Sequence, residues 1–308
     1  MSTVAGGEAP QLRPLGVGDV VDRVFGLYRA RPLLFIAIAA APYLVLVLVI
    51  TGLTLAYSST FIALAAWAGR LAAAGPSGPS ASDLAPPAGL ENLLVFVLLI
   101  VLLSVVILSA QSAALVDAMA EGYLGRQITL GQAFRDGLRA APSVIGAGLL
   151  VFFGLIAFWA ALIVAAAISQ QTLIVLAAVS LALVGTVYIA SATLVAPVVA
   201  TVEHVGPAVA LRRSWSLSSG SRWRIIGLQL LLLILNGVIS ALLSTILVTA
   251  FIGDVTTRTI VRQIANLVAN VAWAPVQWGT FAVLYYDLRV RREAFELQLA
   301  AEALPRQS

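Results

Sequence analysis

Histidine and cysteine, the side chains that most often hold catalytic metals, are almost absent from this chain. Its one histidine is His204 and it has no cysteine, so a metal site would need to be built almost wholly from carboxylates. The HExxH, GxSxG and Walker A sequences do not occur. His204 directly follows Glu203 at a predicted helix end, where we expect it to be solvated. We therefore expect a non-enzymatic protein with no metal and no cofactor.

Three acidic residues occupy equivalent positions, each at the end of a long apolar stretch. They are Asp117, Glu203 and Asp287. Together such acids could form a ring of negative charge on one face of the protein. We favour a simpler interpretation, in which each acid pairs with an arginine of an amphipathic segment and fixes that segment to the rest of the fold. The candidate arginines are Arg23, Arg135 and Arg212.

Basic and aromatic side chains alternate just ahead of the fifth apolar stretch. The cluster consists of Arg213, Trp215, Arg222, Trp223 and Arg224. Tryptophan is enriched at membrane–water interfaces, and arginine there attracts anionic lipid. The pattern predicts an interface anchor, and it also makes these residues candidate contacts for an anionic headgroup or a protein partner.

A few polar side chains lie inside the fifth and sixth apolar stretches. Asn236 and Ser240 are four residues apart, on one helical face, and Asn270 and Gln277 lie in the following stretch. Such groups commonly form hydrogen bonds between packed helices, but they could also line a polar path. We favour packing, because ion-coupled transporters usually carry an ionised residue near the bilayer midpoint and none is present there.

The composition of the chain shows which solvent surrounds these elements. It is 61% hydrophobic and only 10% charged, with a mean hydropathy of +1.01. Soluble domains are about 45–50% apolar and about 25% charged. So few charges could not cover so much apolar surface in water. We therefore predict an integral membrane protein.

Six apolar stretches reach the roughly 20 residues that a helix needs to cross the hydrocarbon core. The predicted spans are 33–57, 93–116, 143–168, 172–202, 224–251 and 264–286. Residues 70–92, rich in Pro, Ser and Ala, are predicted to be a flexible outer loop. A disordered tail, 1–14, and a C-terminal tail, 297–308, flank a single membrane domain, 15–296. The predicted fold class is an all-α membrane protein.

The basic residues predict the orientation of these spans. All 18 are arginine; with the N-terminus inside, fifteen fall in inner segments and three, Arg70, Arg258 and Arg262, in outer ones. Cytoplasmic loops carry such an excess. We predict a multi-pass protein of the bacterial plasma membrane with both termini in the cytoplasm. The net charge of +4 therefore indicates membrane topology and not nucleic-acid binding.

Three inner segments resemble one another and lead into spans one, three and five. They begin at Leu15, Leu130 and Val205, and each combines an apolar-Gly start, a short arginine-bearing amphipathic stretch and a Pro or Ser/Gly break. Val20, Val24 and Leu27 form one apolar stripe in the first segment. The repetition predicts three transmembrane hairpins, each preceded by an interfacial amphipathic helix and related by pseudo-threefold symmetry.

Three longer stretches resemble a known family. They are RPLGVGDVVDRVFGLYRARP from Arg13, APVVATVEHVGPAVALRRSWSLSSGSRWRIIG from Ala196 and VLYYDLRVRREAFELQL from Val283. The chain is similar to bacterial, mainly actinobacterial, glycerophosphoryl diester phosphodiesterase membrane domain proteins. The catalytic barrel that gives the family its name has no counterpart here. The resemblance therefore implies a stand-alone membrane module without phosphodiesterase activity.

Two functions are compatible with these observations. The first is a membrane module that scaffolds a membrane protein partner or binds lipid through its cytoplasmic face. The second is a subunit of a small-molecule or lipid transporter or channel, with a polar path between spans five and six. The concentration of arginine and amphipathic sequence on one face favours the first.

Overall fold

The described part of the chain is entirely helical. A computed structural model describes residues 16–73, 85–169, 171–250 and 255–293, and within these ranges it contains ten helices and no strand. The predicted tails, 1–14 and 297–308, and residues 74–84 of the predicted outer loop lie outside the described residues. The helices are α1 (Val17–Ala30), α2 (Pro32–Ala56), α3 (Ser58–Ala72), α4 (Leu90–Tyr123), α5 (Leu130–Ser169), α6 (Thr172–Thr193), α7 (Ala196–Val202), α8 (Pro207–Ser218), α9 (Arg222–Ala250) and α10 (Val255–Glu293).

Within the described ranges, six helical segments are long and apolar enough to cross a membrane. This confirms the predicted number of spans and the class of polytopic, all-helical membrane protein. The segments are Pro32–Leu53, Leu90–Tyr123, Leu130–Ser169, Thr172–Val202, Arg222–Leu247 and Val261–Glu293.

Two helices differ from the predicted pattern. Helix α5 is continuous over 40 residues and keeps Pro142 inside it, although a break was expected there. Proline removes only one backbone hydrogen bond, and the alanines before it are strong helix formers. At 1.5 Å per residue, α5 is about 60 Å long, twice the hydrocarbon thickness. Helix α3 also occupies the start of the predicted outer loop, up to Ala72.

The chain divides into two compact units, which are described separately. Unit 1 comprises residues Met1–Ala40 and Ser109–Ser308, and unit 2 comprises Ala41–Leu108. In unit 2, the rings of Tyr57 and Phe96 are 4.9 Å apart between centroids. This contact joins α4 to the residue that separates α2 from α3.

The core of unit 1 surrounds the second half of α10. Leu284 and Tyr285 are fully buried there and pack with Val198 and Val199 of α7. Helix α1 covers the same region with Val20 and Val24, both fully buried, while Asp22 and Arg23 on its other side are exposed. The buried valines and the exposed charged residues therefore lie on different sides of α1.

Close helix packing in unit 1 depends on glycine. A Cβ atom added to Gly137 of α5 would lie 2.7 Å from the carbonyl oxygen of Ala110 and 2.8 Å from the backbone nitrogen of Ala114, both in α4. Small residues allow membrane helices to approach in this way. Because the obstructing atoms belong to the backbone, no side-chain rotation could make room for a methyl group.

Gly137→Ala is therefore expected to lower the free energy of unfolding by about 1–3 kcal/mol, the usual cost of overpacking. Gly148→Ala in the same helix is the control, since a Cβ there meets nothing within 4 Å. Its higher helix propensity should leave stability equal or raised by up to about 1 kcal/mol. Unfolding titrations in mixed micelles measure both variants, and equal effects would contradict close contact between α4 and α5.

Candidate functional site

The candidate site lies at what we call the arginine-rich end of unit 1: α8, the start of α9 and the end of α10. A helix break creates it. Pro197 has no backbone N–H for the Thr193 carbonyl, α6 ends at Thr193, and α7 begins at Ala196. The carbonyl of Ala192 then accepts hydrogen bonds from the hydroxyls of Ser214, at 2.8 Å, and Ser218, at 3.3 Å. Helix α8 is thus fixed to the end of α6.

A closed ring of hydrogen bonds joins α7, α8 and α10 at this end. The ring consists of Glu203, Arg213, Glu293, Arg289 and Tyr285. Arg213 Nε donates to both oxygens of Glu203 at 2.7 Å, and its two terminal nitrogens donate to Glu293 at 2.7 and 3.0 Å. Arg289 donates to Glu293 at 3.1 Å and to the Tyr285 hydroxyl at 3.4 Å. The Tyr285 hydroxyl completes the ring by donating to Glu203 at 2.7 Å.

Arg213 is the member that joins the two acids. Its hydrogen bonds to Glu293, supplemented by those to Glu203, raise the pKa of the guanidinium above its ordinary value. Arg213 therefore stays charged at every pH at which the protein is folded. Its bidentate geometry on Glu293 is the strong form of the arginine–carboxylate contact.

This ring changes the partner expected for Glu203. The predicted acid partners were Arg23, Arg135 and Arg212, but Glu203 pairs with Arg213 and Arg212 is exposed. Consecutive helical residues point about 100° apart, so only one of the two can face α7 and α10. Tyr285, Arg289 and Glu293 had no assigned role, yet their i, i+4, i+8 spacing on α10 was a usable signal.

Asp287 forms the second ionic cluster of this end. Its carboxylate is fully buried and accepts hydrogen bonds from Arg224, at 2.5 Å, and from Arg291, at 3.0 Å. The partners therefore come from the start of α9 and from α10 itself, rather than from an amphipathic segment. The cluster ties the beginning of span five to the end of span six.

The third predicted acid has a different setting. Asp117 of α4 has no ion pair with any residue in the described ranges, and Arg135 is exposed. Arg23 instead lies over the ring of Tyr123, 5.5 Å from its centroid. His204 is exposed, as expected, and adopts a left-handed backbone conformation at φ 51° directly after α7.

Some side chains of the basic-aromatic cluster are paired with acids and others are not. Arg213 and Arg224 hold acids, as described above. The Arg222 guanidinium lies between two rings, 4.0 Å from the centroid of Tyr188 and 4.6 Å from that of Trp215. Its Nε is buried and has no hydrogen-bond partner in the described structure. Trp223 is 87% exposed, so its ring is open to the surroundings.

The residues of the predicted polar path lie on α9 and α10. Ser240 donates to Asn236 of its own helix at 3.2 Å. Asn270 is exposed, and its amide donates to the Asn266 carbonyl, again within one helix. Gln277 is half-buried further along α10. Neither hydrogen bond crosses between α9 and α10.

Comparison of the chain with protein-family models, with curated proteins and with solved structures returned no match. The fold and the site define a polytopic helical membrane protein with two ionic clusters at the arginine-rich end of unit 1.

Adjacent arginines allow a matched test of the ring. Arg213→Gln should lower the free energy of unfolding by about 1–3 kcal/mol, because Glu203 and Glu293 would lose their shared cation while remaining largely buried. Arg212→Gln should change it by less than about 0.5 kcal/mol, as for most exposed substitutions. Unfolding titrations in mixed micelles provide the comparison. Equal effects of the two changes would contradict the ring.

Asp287→Asn should be more damaging than any change in the ring. It leaves two arginines around a buried neutral amide, and breaking a buried pair costs about 3–5 kcal/mol. Asp136→Asn is the control, since its contact with Arg139 is 3.4 Å long and exposed, and such pairs contribute at most about 1 kcal/mol. Membrane accumulation and thermal unfolding should both fall for Asp287→Asn only; normal accumulation would refute the proposed buried cluster.

Proposed function

We propose that the protein is a non-enzymatic membrane module that binds anionic lipid headgroups, and a membrane partner, through its arginine-rich end. The observation that carries the proposal is the contrast between arginines that hold acids and arginines that do not. Arg213 and Arg224 are engaged in ion pairs, whereas Arg212 and Arg222 have no acid partner within the described ranges. Guanidinium groups without acid partners are favourable contacts for phosphate.

The orientation of the module follows from the distribution of its arginines. The positive-inside rule supports a cytoplasmic position for the arginine-rich end and for both termini, in the plasma membrane of a bacterium. The inner leaflet carries anionic lipids, and each arginine near its surface contributes about 1 kcal/mol of attraction. Exposed Trp223 supports the same interpretation, because indole rings favour the headgroup level.

Helices α1 and α8 are proposed to lie in the headgroup plane as interfacial elements. Each is short and separate from the spans. The buried residues are Val20 and Val24 in α1, and Ala210 and Leu217 together with Ser214 and Ser218 in α8. Helices of this kind rest on membranes with their charged side chains towards the headgroups. Membership of the phosphodiesterase membrane-domain family is part of the same proposal.

A lipid titration tests this function. The full-length protein in neutral detergent should bind phosphatidylglycerol more tightly than phosphatidylcholine. Combined Arg212→Gln and Arg222→Gln changes should remove about 2 kcal/mol of that preference, or about thirtyfold in affinity. The matched control is the double change Arg70→Gln and Arg262→Gln, which removes the same charge elsewhere. Native mass spectrometry counts bound lipids; equal binding of the two lipids by the unmodified protein would overturn the proposal.

A further inference from the structure

A largely apolar groove opens beside α8, between the membrane-crossing helices α5 and α6. Its volume is about 570 Å³, within the roughly 300–1,000 Å³ typical of ligand sites. Leu150, Gly154 and Leu155 of α5 form one wall, and Ile189 of α6 forms the other. Arg212 and Trp215 of α8 lie at its mouth. The apolar groove therefore has a positively charged side chain at its mouth, where it adjoins α8.

Glycine contacts determine where this groove begins and ends. Towards α8, a Cβ on Gly146 would lie 2.5 Å from the ring of Pro207, so α8 presses directly on α5 there. Away from α8, a Cβ on Gly185 would lie 2.6 Å from Phe158, so α5 and α6 close together again. The groove occupies the space between these contacts, and its lining on α5 covers about 7.5 Å of helix.

Gly154 keeps the groove open. A Cβ added to it meets no atom within 4 Å, so a larger side chain there would project into the groove rather than into the protein. The residue differs in this respect from Gly146 and Gly185, whose missing side chains permit helix contact.

The mouth of the groove carries positive charge on both sides of Trp215. The exposed Arg212 lines the groove itself, while Arg222 stacks over the Trp215 ring at 4.6 Å. Neither guanidinium has a hydrogen-bond acceptor in the part of the chain that the structure describes. An occupant with an apolar chain and one anionic group complements these features.

We infer that this groove holds a single anionic phospholipid, with its phosphate at Arg212 and the first methylenes of one acyl chain along Leu150 and Gly154. The inference rests on the proposed function and specifies its site. Arg222 supports the headgroup from behind Trp215. Each buried methylene strengthens binding about fourfold, so a groove of this length supplies specificity that surface charge alone does not.

Filling the groove tests the inference. Gly154→Phe should weaken phosphatidylglycerol binding at least tenfold, equivalent to losing about two buried methylenes. Gly148→Phe, on the same helix and with nothing within 4 Å, should bind as the unmodified protein does. Arg212→Gln should also weaken binding about tenfold by removing the charge-assisted contact, without any change to the groove.

Native mass spectrometry of the full-length protein, titrated with phosphatidylglycerol and with phosphatidylcholine, gives the affinities and the oligomeric mass together. Tight binding by Gly154→Phe, equal to that of Gly148→Phe, would refute the groove while leaving the surface preference for anionic lipid intact. A change of oligomeric mass in Gly154→Phe would assign the groove to a second copy and likewise overturn the inference. Should Gly154→Phe fail to fold, unchanged affinity in Arg212→Gln would still refute it.

Discussion

The carbonyl of Ala192 determines how the arginine-rich end is assembled. Because Pro197 interrupts the fourth span, this carbonyl is left at a helix end and must find donors. Ser214 and Ser218 supply them from consecutive turns of α8, and both serines are fully buried. That attachment gives α8 its rotation about its own axis. The rotation in turn directs Arg213 into the protein and leaves Arg212 outside.

Two neighbouring arginines consequently have opposite roles. Arg213 is bound to two acids, Glu203 and Glu293, whereas Arg212 contributes little to the fold and lies at the mouth of the groove. Arg222 and Arg224 show the same division at the start of α9. The arginines that stabilise the fold are therefore different from those proposed to bind lipid. A substitution can alter one property without altering the other.

The number of spans and the helical class followed from hydrophobicity and length, since lipid requires every backbone group to be bonded within a helix. The break expected near Pro142 was wrong, because one missing hydrogen bond does not end a helix of strong formers. The pairing of an acid with Arg213, rather than with its neighbour Arg212, was not predicted. That choice depends on how α8 is rotated against α7 and α10, which is a tertiary property. The groove was not predicted either, because an open glycine such as Gly154 resembles any other glycine in sequence.

The ring that includes Tyr285 is closed, and closure has an energetic consequence. Each member forms hydrogen bonds with two others. Removing one side chain therefore takes a hydrogen bond away from each of its two neighbours. Removing a second member should then lower the free energy of unfolding by much less than the same change made in the intact ring, as is usual for residues in one network. The five side chains therefore act as one cooperative hydrogen-bond network that holds α7, α8 and α10 together.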